Sequence, residues 1–277
     1  MSASPISDLS RLCLHTITTK PWPIETAVER YVQAGVSGVT VWRNILEGHD
    51  PKVIGELIRS GGLEIVSLCR GGFFPHVEQQ DRERAIQQNI EIIDEAAALG
   101  APMVVLVVGA DPGQTLETSR QQIEEGIRAI EPHAASKEIK LAVEPLHPMY
   151  ADDRSAINTM AQANALCESL DSPWVGVAVD VYHLWWDPDL ESGIRRCSAE
   201  DSLFAFHVCD WKTPTTDLLH DRGLMGEGCI EIRKIRGWME EEGFEGYNEV
   251  EIFSTTYWNQ DQAEFLKQIV AAYTEST

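Results

Sequence analysis

The sequence predicts an α/β protein, a single (β/α)8 barrel with its active site at the C-terminal ends of the strands. Two observations support this fold class. Short apolar or β-branched runs alternate with amphipathic helical patterns along the whole chain, and four acidic or imidazole side chains each stand near the end of a different run. The carboxyl ends of the parallel strands of such a barrel share one face, where active sites of this fold lie.

The predicted strands and helices alternate strictly. The strands are expected at Arg11–Thr16, Gly38–Trp42, Glu64–Leu68, Met103–Val108, Lys140–Glu144, Val175–Asp180, Leu203–Val208 and Asn248–Phe253. Stretches such as IETAVERYVQAG and RERAIQQNIEIIDEAAALG have the i, i+3, i+4 apolar spacing of helices, and glycines stand where several of them should end. Eight strands and eight helices is the count of a closed barrel. A doubly wound open sheet is the alternative, but the first strand runs into LHTITTKPWP without a glycine-rich phosphate turn.

The chain length and composition indicate one domain, residues 1–277. No linker, repeat or change of composition divides the 277 residues, and 43% hydrophobic residues suffice for a large core. The oligomeric state stays open, with a homo-oligomer as one alternative, because barrels of this size often pair.

The charge and the cysteines limit the partners and the location. A formal charge of −22 repels polyanions, so neither nucleic acid nor an anionic membrane is expected as a partner. The six cysteines include no CxxC pair, which is typical of reduced thiols in a cytoplasmic protein. We see neither a signal peptide nor an apolar stretch near the roughly 18 residues that span a bilayer.

Four strand-end residues have the chemistry of metal ligands. They are Glu144 in KLAVEPLHP, Asp180 in VGVAVDVYH, His207 in LFAFHVCDW and Glu251 in NEVEIF. A buried carboxylate without a partner costs several kcal/mol, so core packing does not explain these acids, although a structural ion pair would. Oxygen and imidazole donors suit one divalent ion, with Mn²⁺ expected and Mg²⁺, Co²⁺ or Zn²⁺ as alternatives.

Two assignments near these ligands rest on position alone. Glu249 and Glu251 point to the same face of a strand, and we prefer Glu251 as the ligand because it lies further toward the C-terminal end. Glu249 then lies deeper or holds another side chain in place. Asp210 is equally an outer-shell acceptor for His207 or a surface residue.

Five residues are candidates for substrate binding. His183 follows Asp180 in the first turn of the next loop, where a satisfied loop histidine is the alternative. Arg222 precedes the Gly226–Gly228 pair, whose backbone NH groups are expected to approach a ligand; a surface arginine paired with Glu227 is the alternative. The remaining candidates, weaker ones, are His147, His15 and Trp185, the last as part of an aromatic wall suited to a sugar ring.

These segments together resemble a known superfamily. LAVEPLHP, VAVDVYH, AFHVCDWKTP, DRGLMGEG and EVEIFS, in this order, resemble the xylose-isomerase-like barrels, and more narrowly the sugar phosphate isomerase/epimerase branch with its inosose isomerases and ketose 3-epimerases. The resemblance implies metal ligation by Glu144, Asp180, His207 and Glu251, and acid/base roles for Glu144 and Glu251. It also implies substrate binding by His183 and Arg222. Endonuclease IV shares the superfamily, but its DRH motif is Asp221-Arg222-Gly223 here, which with the charge disfavours DNA repair.

The function implied by the resemblance is metal-dependent isomerisation or epimerisation of a sugar, keto-sugar or inosose. A glutamate removes a proton next to a carbonyl, the metal stabilises the enediolate, and the other glutamate returns the proton. Two alternatives stay open. One is a metal-dependent lyase or dehydratase on a keto-sugar or dehydroshikimate-like substrate, and the other is a non-catalytic sugar-binding barrel.

Overall fold

The structure is a computed structural model that describes residue 4 and residues 6–277. The strands in this part of the chain are β1 (Leu12–His15), β2 (Gly38–Trp42), β3 (Glu64–Gly72), β4 (Met103–Val107), β5 (Lys140–Val143), β6 (Val175–Asp180), β7 (Leu203–Val208), β8 (Asp210–Trp211), β9 (Arg222–Gly223) and β10 (Asn248–Val250). The helices are α1 (Ile24–Gln33), α2 (Pro51–Gly61), α3 (Gln79–Leu99), α4 (Leu116–Ser136), α5 (Met160–Leu170), α6 (Val181–Leu184), α7 (Leu190–Ala199), α8 (Ile232–Glu241), α9 (Thr255–Trp258) and α10 (Gln262–Ser276).

These residues form two compact units, which we call the terminal unit and the central unit. The terminal unit consists of the described residues up to Val66 together with Ala205–Thr277, and the central unit is Ser67–Phe204. Among the described residues, no helix combines the length and apolar character that a membrane crossing requires.

The terminal unit contains a parallel sheet in the order β2-β1-β10-β7. Its register sets Cys13 opposite Glu249 and Glu249 opposite His207. Glu251 lies two residues beyond Glu249 toward the C-terminal end, and the register of β1 against β10 sets it level with His15. Because side chains alternate along a strand, residues two apart point to the same face. The sheet therefore brings the predicted site residues His15, His207 and Glu251 to neighbouring positions.

In the central unit the parallel strands pair in the order β3-β4-β5-β6. Every residue of β4 (MVVLV) and β6 (VGVAVD) is buried, as expected of parallel strands covered on both faces. Asp180 is the last residue of β6, and Glu144 directly follows β5. The predicted metal ligands Asp180 and Glu144 thus stand at the C-terminal ends of their strands.

Several predicted boundaries differ from the structure. The last strand ends at Val250 rather than Phe253, so Glu251 lies just beyond it. The third strand continues to Gly72 through an irregular register between Cys69 and Gly71. The antiparallel pair β8 and β9 and the short helices α6 and α9 were not predicted, because two to four residues carry too little periodicity to be recognised.

The predicted glycine stops are confirmed where helices α2 and α3 end. Gly62 and Gly100 follow these helices with φ values of 101° and 83°. Left-handed backbone of this kind favours glycine, which has no Cβ to clash. At the other end, Thr115 and Thr159 accept backbone NH hydrogen bonds and fix the starts of α4 and α5.

Candidate functional site

A buried series of polar side chains in mutual contact lies at the strand ends of the terminal unit. Nε2 of His15 is 3.2 Å from Oε2 of Glu249, and its Nδ1 is 2.9 Å from Oε1 of Glu251. The hydroxyl of Thr40 donates to the same Glu249 oxygen at 2.5 Å, and Arg222 donates to Oε2 of Glu251 at 2.7 Å. Each of these side chains is almost fully buried, so the series is well shielded from bulk water.

His15 lies between the two glutamates and has a further neighbour in Trp42, whose Nε1 is 3.1 Å from the same Nδ1. One ring nitrogen cannot donate to Glu251 and accept from Trp42 at the same time. The proton on Nδ1 thus decides which of the two bonds forms. The ring of His15 also packs edge-on against His207, with centroids 4.7 Å apart.

The two glutamates are held in their charged form. Burial raises the pKa of Glu251, but Arg222 and His15 lower it more strongly, and the net pKa lies well below the usual range. Burial likewise raises the pKa of Glu249, and His207, His15 and Thr40 together bring it below its usual value. Carboxylates in this state can bind a cation or accept a proton.

Arg222 is buried rather than on the surface, so the alternative of a surface pair with Glu227 is wrong. Its guanidinium contacts Glu251 and lies 5.1 Å from the centre of the Phe253 ring. Glu227 instead accepts hydrogen bonds from the backbone NH of Leu224 and the hydroxyl of Tyr257. Whether Arg222 also binds substrate stays a prediction.

Asp210 organises the loop that carries Arg222. Its carboxylate accepts backbone NH bonds from Trp211, Gly226, Gly228 and Ile230 at 2.8 to 3.0 Å. The prediction that the NH groups of the glycine pair approach a ligand is therefore wrong, because they bind this carboxylate. Asp210 is neither a surface residue nor seen bonded to His207, and its role is to close the loop.

In the central unit Asp180 and His183 contact each other, with Nε2 of His183 3.6 Å from Oδ2 of Asp180. The carboxylate of Asp180 accepts the NH of Tyr182 at 2.7 Å and so caps α6, which places His183 in the first turn after the strand, as predicted. The NH of His147 donates to Nδ1 of His183 at 3.3 Å. Glu144 is 5% exposed, and its backbone NH donates to Leu106.

The weaker candidates in the central unit differ in exposure. His147 is half-buried, and burial lowers its pKa, so a neutral ring is favoured. It packs against Trp186 at 5.6 Å, while Trp185 is 36% exposed. Trp185 is thus accessible to a ligand, although its predicted role in substrate binding stays a prediction.

Two residues in the terminal unit were missed by sequence reasoning. Thr40 was overlooked because a threonine between two valines is ordinary in a strand, and Phe253 because it was assigned to the strand itself. Trp42, Phe253 and Trp258 form consecutive edge-on ring contacts at 5.1 and 6.0 Å. These rings make an aromatic wall, and its Phe253 ring lies against Arg222.

The donor set in the terminal unit suits a divalent cation. Ligand atoms of His15, His207 and Glu251 lie within 4.8 Å of one another, and all three residues are buried. Imidazole nitrogen with carboxylate oxygen is a combination that Zn²⁺, Co²⁺ and Mn²⁺ accept. The site therefore fits a divalent metal ion by its chemistry.

Comparison with protein families gives one match that spans most of the chain. The family model described as "Xylose isomerase-like TIM barrel" matches residues 28–269. This match confirms the predicted fold class, an eight-stranded parallel (β/α)8 barrel.

Individual proteins agree with this match. A curated inosose isomerase from Halalkalibacterium halodurans is 22% identical over 226 residues, 80% of this chain and 78% of its own length. A solved structure from Sinorhizobium meliloti 1021 is 41% identical, with a TM-score of 0.94 over 97% of this chain and 99% of the other.

More distant solved structures share the fold. The IolI protein with a bound zinc atom is 18% identical, with a TM-score of 0.82 over 96% of this chain and 99% of that one. The 3-keto-D-glucoside 4-epimerase from E. coli is also 18% identical, with a TM-score of 0.77 over 95% of this chain and 98% of that one.

Proposed function

Since the chain belongs to the xylose isomerase-like TIM barrel family, we propose that it is a divalent-metal-dependent isomerase or epimerase of a sugar, keto-sugar or inosose. The observation that carries the proposal is the buried set of carboxylates and imidazoles at the C-terminal strand ends, where this fold places active sites. Relatives named as an inosose isomerase and a keto-glucoside epimerase support this substrate class.

We assign the metal ligands to Glu144, Asp180, His207 and Glu251. Each stands in the last two residues of a parallel strand or directly after one, namely β5, β6, β7 and β10. In a closed barrel these ends share one face, so four side chains from four strands can reach one ion. The zinc bound by the structurally similar IolI protein supports a metal site in this fold, and we retain Mn²⁺ as the expected ion.

When bound, the ion supplies Lewis-acid polarisation of a substrate carbonyl and its neighbouring hydroxyl. Glu251, kept as a carboxylate by Arg222 and His15, accepts the proton from the carbon next to the carbonyl. Glu144 returns a proton, to the opposite face of the same carbon in an epimerase or to the adjacent carbon in an isomerase. Positioned acid/base groups of this kind contribute roughly 10²–10⁴-fold.

His183, Arg222, His147 and Trp185 are proposed to surround the substrate, whereas both ring nitrogens of His15 face protein groups. The buried imidazole of His183 and the guanidinium of Arg222 supply hydrogen bonds to substrate oxygens. The exposed ring of Trp185 and the wall formed by Trp42, Phe253 and Trp258 suit the CH face of a small carbohydrate. The excess of acids over bases is consistent with a substrate that is not a polyanion.

The test is proton exchange in D₂O. The protein is loaded with Mg²⁺ or Zn²⁺, which do not broaden NMR signals, and is mixed with ketohexoses, inososes and 3-keto glucosides. We expect one C–H signal next to a carbonyl to disappear as new sugar signals grow. The exchange should need the metal and should fall by at least about 10²-fold in Glu144→Gln.

Glu264→Gln is the matched control, because this exposed glutamate on α10 forms only a surface pair with Lys267 among the described contacts. It should exchange at the wild-type rate. A vinylic proton would instead identify a lyase. Metal-loaded protein that exchanges no substrate of this panel contradicts the proposed activity.

A further inference from the structure

We propose that His15 and Glu249 are positioning residues, a buried carboxylate–imidazole pair that sets the orientation of Glu251 at the metal. This inference rests on the proposed function, because it assigns a role within the same site. It differs from the role expected for His15 from the sequence, which was contact with substrate.

The first support is that both ring nitrogens of His15 face protein groups. Nε2 faces Glu249 at 3.2 Å, and Nδ1 faces Glu251 at 2.9 Å with Trp42 at 3.1 Å. The side chain has 0% exposure. An imidazole engaged on both sides and closed to solvent orients its neighbours rather than binding a substrate.

The second support is the rigid anchoring of Glu249. It lies inside β10, paired in register with Cys13 of β1 and His207 of β7. Its Oε2 accepts from Thr40 of β2 and faces His15, so three neighbouring strands fix one carboxylate. Residues locked on strands hold a site more exactly than loop residues do.

The third support is the contrast between the two partners of Glu251. This residue lies directly after β10, and its two oxygens contact His15 and Arg222. Arg222 belongs to a two-residue strand within a loop, whereas His15 belongs to the sheet. The contact with His15 thus ties one oxygen of Glu251 to the sheet and, through His15, to Glu249.

A competing role for His15 is direct ligation, because it lies close to His207 and Glu251. The two roles differ in how His15 depends on Glu249. A positioning pair acts as one unit, so removing either residue gives most of the loss of metal affinity that removing both would give. A ligand contributes to metal affinity whether or not Glu249 is intact.

The experiment is a double-mutant cycle with His15→Gln, Glu249→Gln and the double variant, titrated with Co²⁺. Affinity and the visible absorption of bound Co²⁺ are measured together. We expect each single change to weaken binding by about 10–100-fold and to alter the Co²⁺ spectrum. The Co²⁺ affinity of the double variant should be at most about twofold below that of the single variant with the lower affinity. The losses do not multiply, because the two residues act through one another.

Tyr273→Phe, on helix α10, is the control, because this residue contacts β10 beside Glu249. Its hydroxyl accepts from Asn248, the residue next to Glu249, and it is fully buried. This change should lower the unfolding midpoint in urea without altering Co²⁺ affinity or spectrum. If His15→Gln does not fold, Thr40→Val replaces it, with an expected loss of about 2–10-fold in affinity.

The outcomes separate this inference from the proposed function. Wild-type protein that binds no Co²⁺ removes the metal site altogether. Wild-type binding with unchanged affinity and spectrum in both single variants overturns the positioning role alone. Losses that multiply in the double variant also overturn it, because Glu249 and His15 would then act independently.

Discussion

The terminal and central units hold their site residues in different ways. In the terminal unit Thr40, Glu249, His15, Glu251 and Arg222 contact one another in a continuous series of side chains. In the central unit Asp180 accepts the NH of Tyr182, and its Oδ2 is 3.6 Å from Nε2 of His183. The Nδ1 of His183 accepts the NH of His147, so two of these three contacts use a backbone NH.

The difference is one of coupling. A series of side chains transmits a change at any member to its neighbours, whereas a backbone NH keeps its place when a side chain elsewhere is altered. We therefore expect substitutions in the terminal unit to affect both stability and metal binding. Comparable substitutions in the central unit should separate the two properties.

The largest effect is expected for Arg222→Met in the metal-free protein. Arg222 and Glu251 form an ion pair in which both side chains are at most 5% exposed. Removing one partner of a buried pair costs about 3–5 kcal/mol of unfolding free energy, because a charge stays buried. Urea denaturation measures the loss, and a change below about 1 kcal/mol would contradict the coupled picture. The exposed pair Arg195–Glu191 is the control, and Arg195→Met should cost at most about 1 kcal/mol.

Asp210→Asn should cost about 2–4 kcal/mol, since the amide oxygen cannot replace a carboxylate that accepts four backbone NH bonds. Urea denaturation measures this loss of unfolding free energy as well. Asp217→Asn is the control, because that exposed carboxylate also accepts two backbone NH bonds, from Leu219 and His220, but in contact with water. Equal losses in the two variants would show that the burial of Asp210 is unimportant.

Acid should destabilise the metal-free protein through the terminal unit. The pKa values of Glu249 and Glu251 lie below the ordinary value of 4.5, so their contribution is complete above pH 4.5 and is lost as the pH falls through their folded values. The contribution of these two groups to the unfolding free energy, measured in chelator from pH 7 to pH 3, should stay constant down to about pH 4.5 and fall below it. Glu251→Gln lacks one of the titrating groups and should give a shallower fall. If the unfolding free energy of Glu251→Gln falls with pH as steeply as that of the wild type, the lowered pKa assigned to Glu251 is contradicted.

Asp180→Asn should have the smallest effect on stability, within about 0.5 kcal/mol, because asparagine caps a helix start as well as aspartate. Metal affinity should nevertheless fall, since a neutral amide replaces a charged ligand. Urea denaturation and Co²⁺ titration of the same sample test both halves of the expectation. A large loss of stability would mean that the central unit is as coupled as the terminal unit.

Much of the site could be predicted because strand-end chemistry is local. Glu144, Asp180 and Glu251 each follow an apolar run, and a charged group there has no place in a core. The family resemblance read from these segments is confirmed by the family match. The ligand assignments and the single domain stay predictions.

The loop around Arg222 could not be predicted because its partners are distant in sequence. Asp210 reaches NH groups up to 20 residues away, and the glycines that looked like a ligand cradle bind it instead. Glycine spacing indicates a tight turn but not the group that the turn encloses.

By itself, the sequence determined the fold class and the strand ends at which acidic and imidazole side chains stand, because periodicity and residue type are properties of short segments. Only the tertiary structure decided that His15 lies between Glu249 and Glu251, residues more than 230 positions away. That contact depends on the register of β1 against β10, which is set by packing across the sheet. The positions of Glu249 inside β10 and of Glu251 just beyond its end belong to the same register.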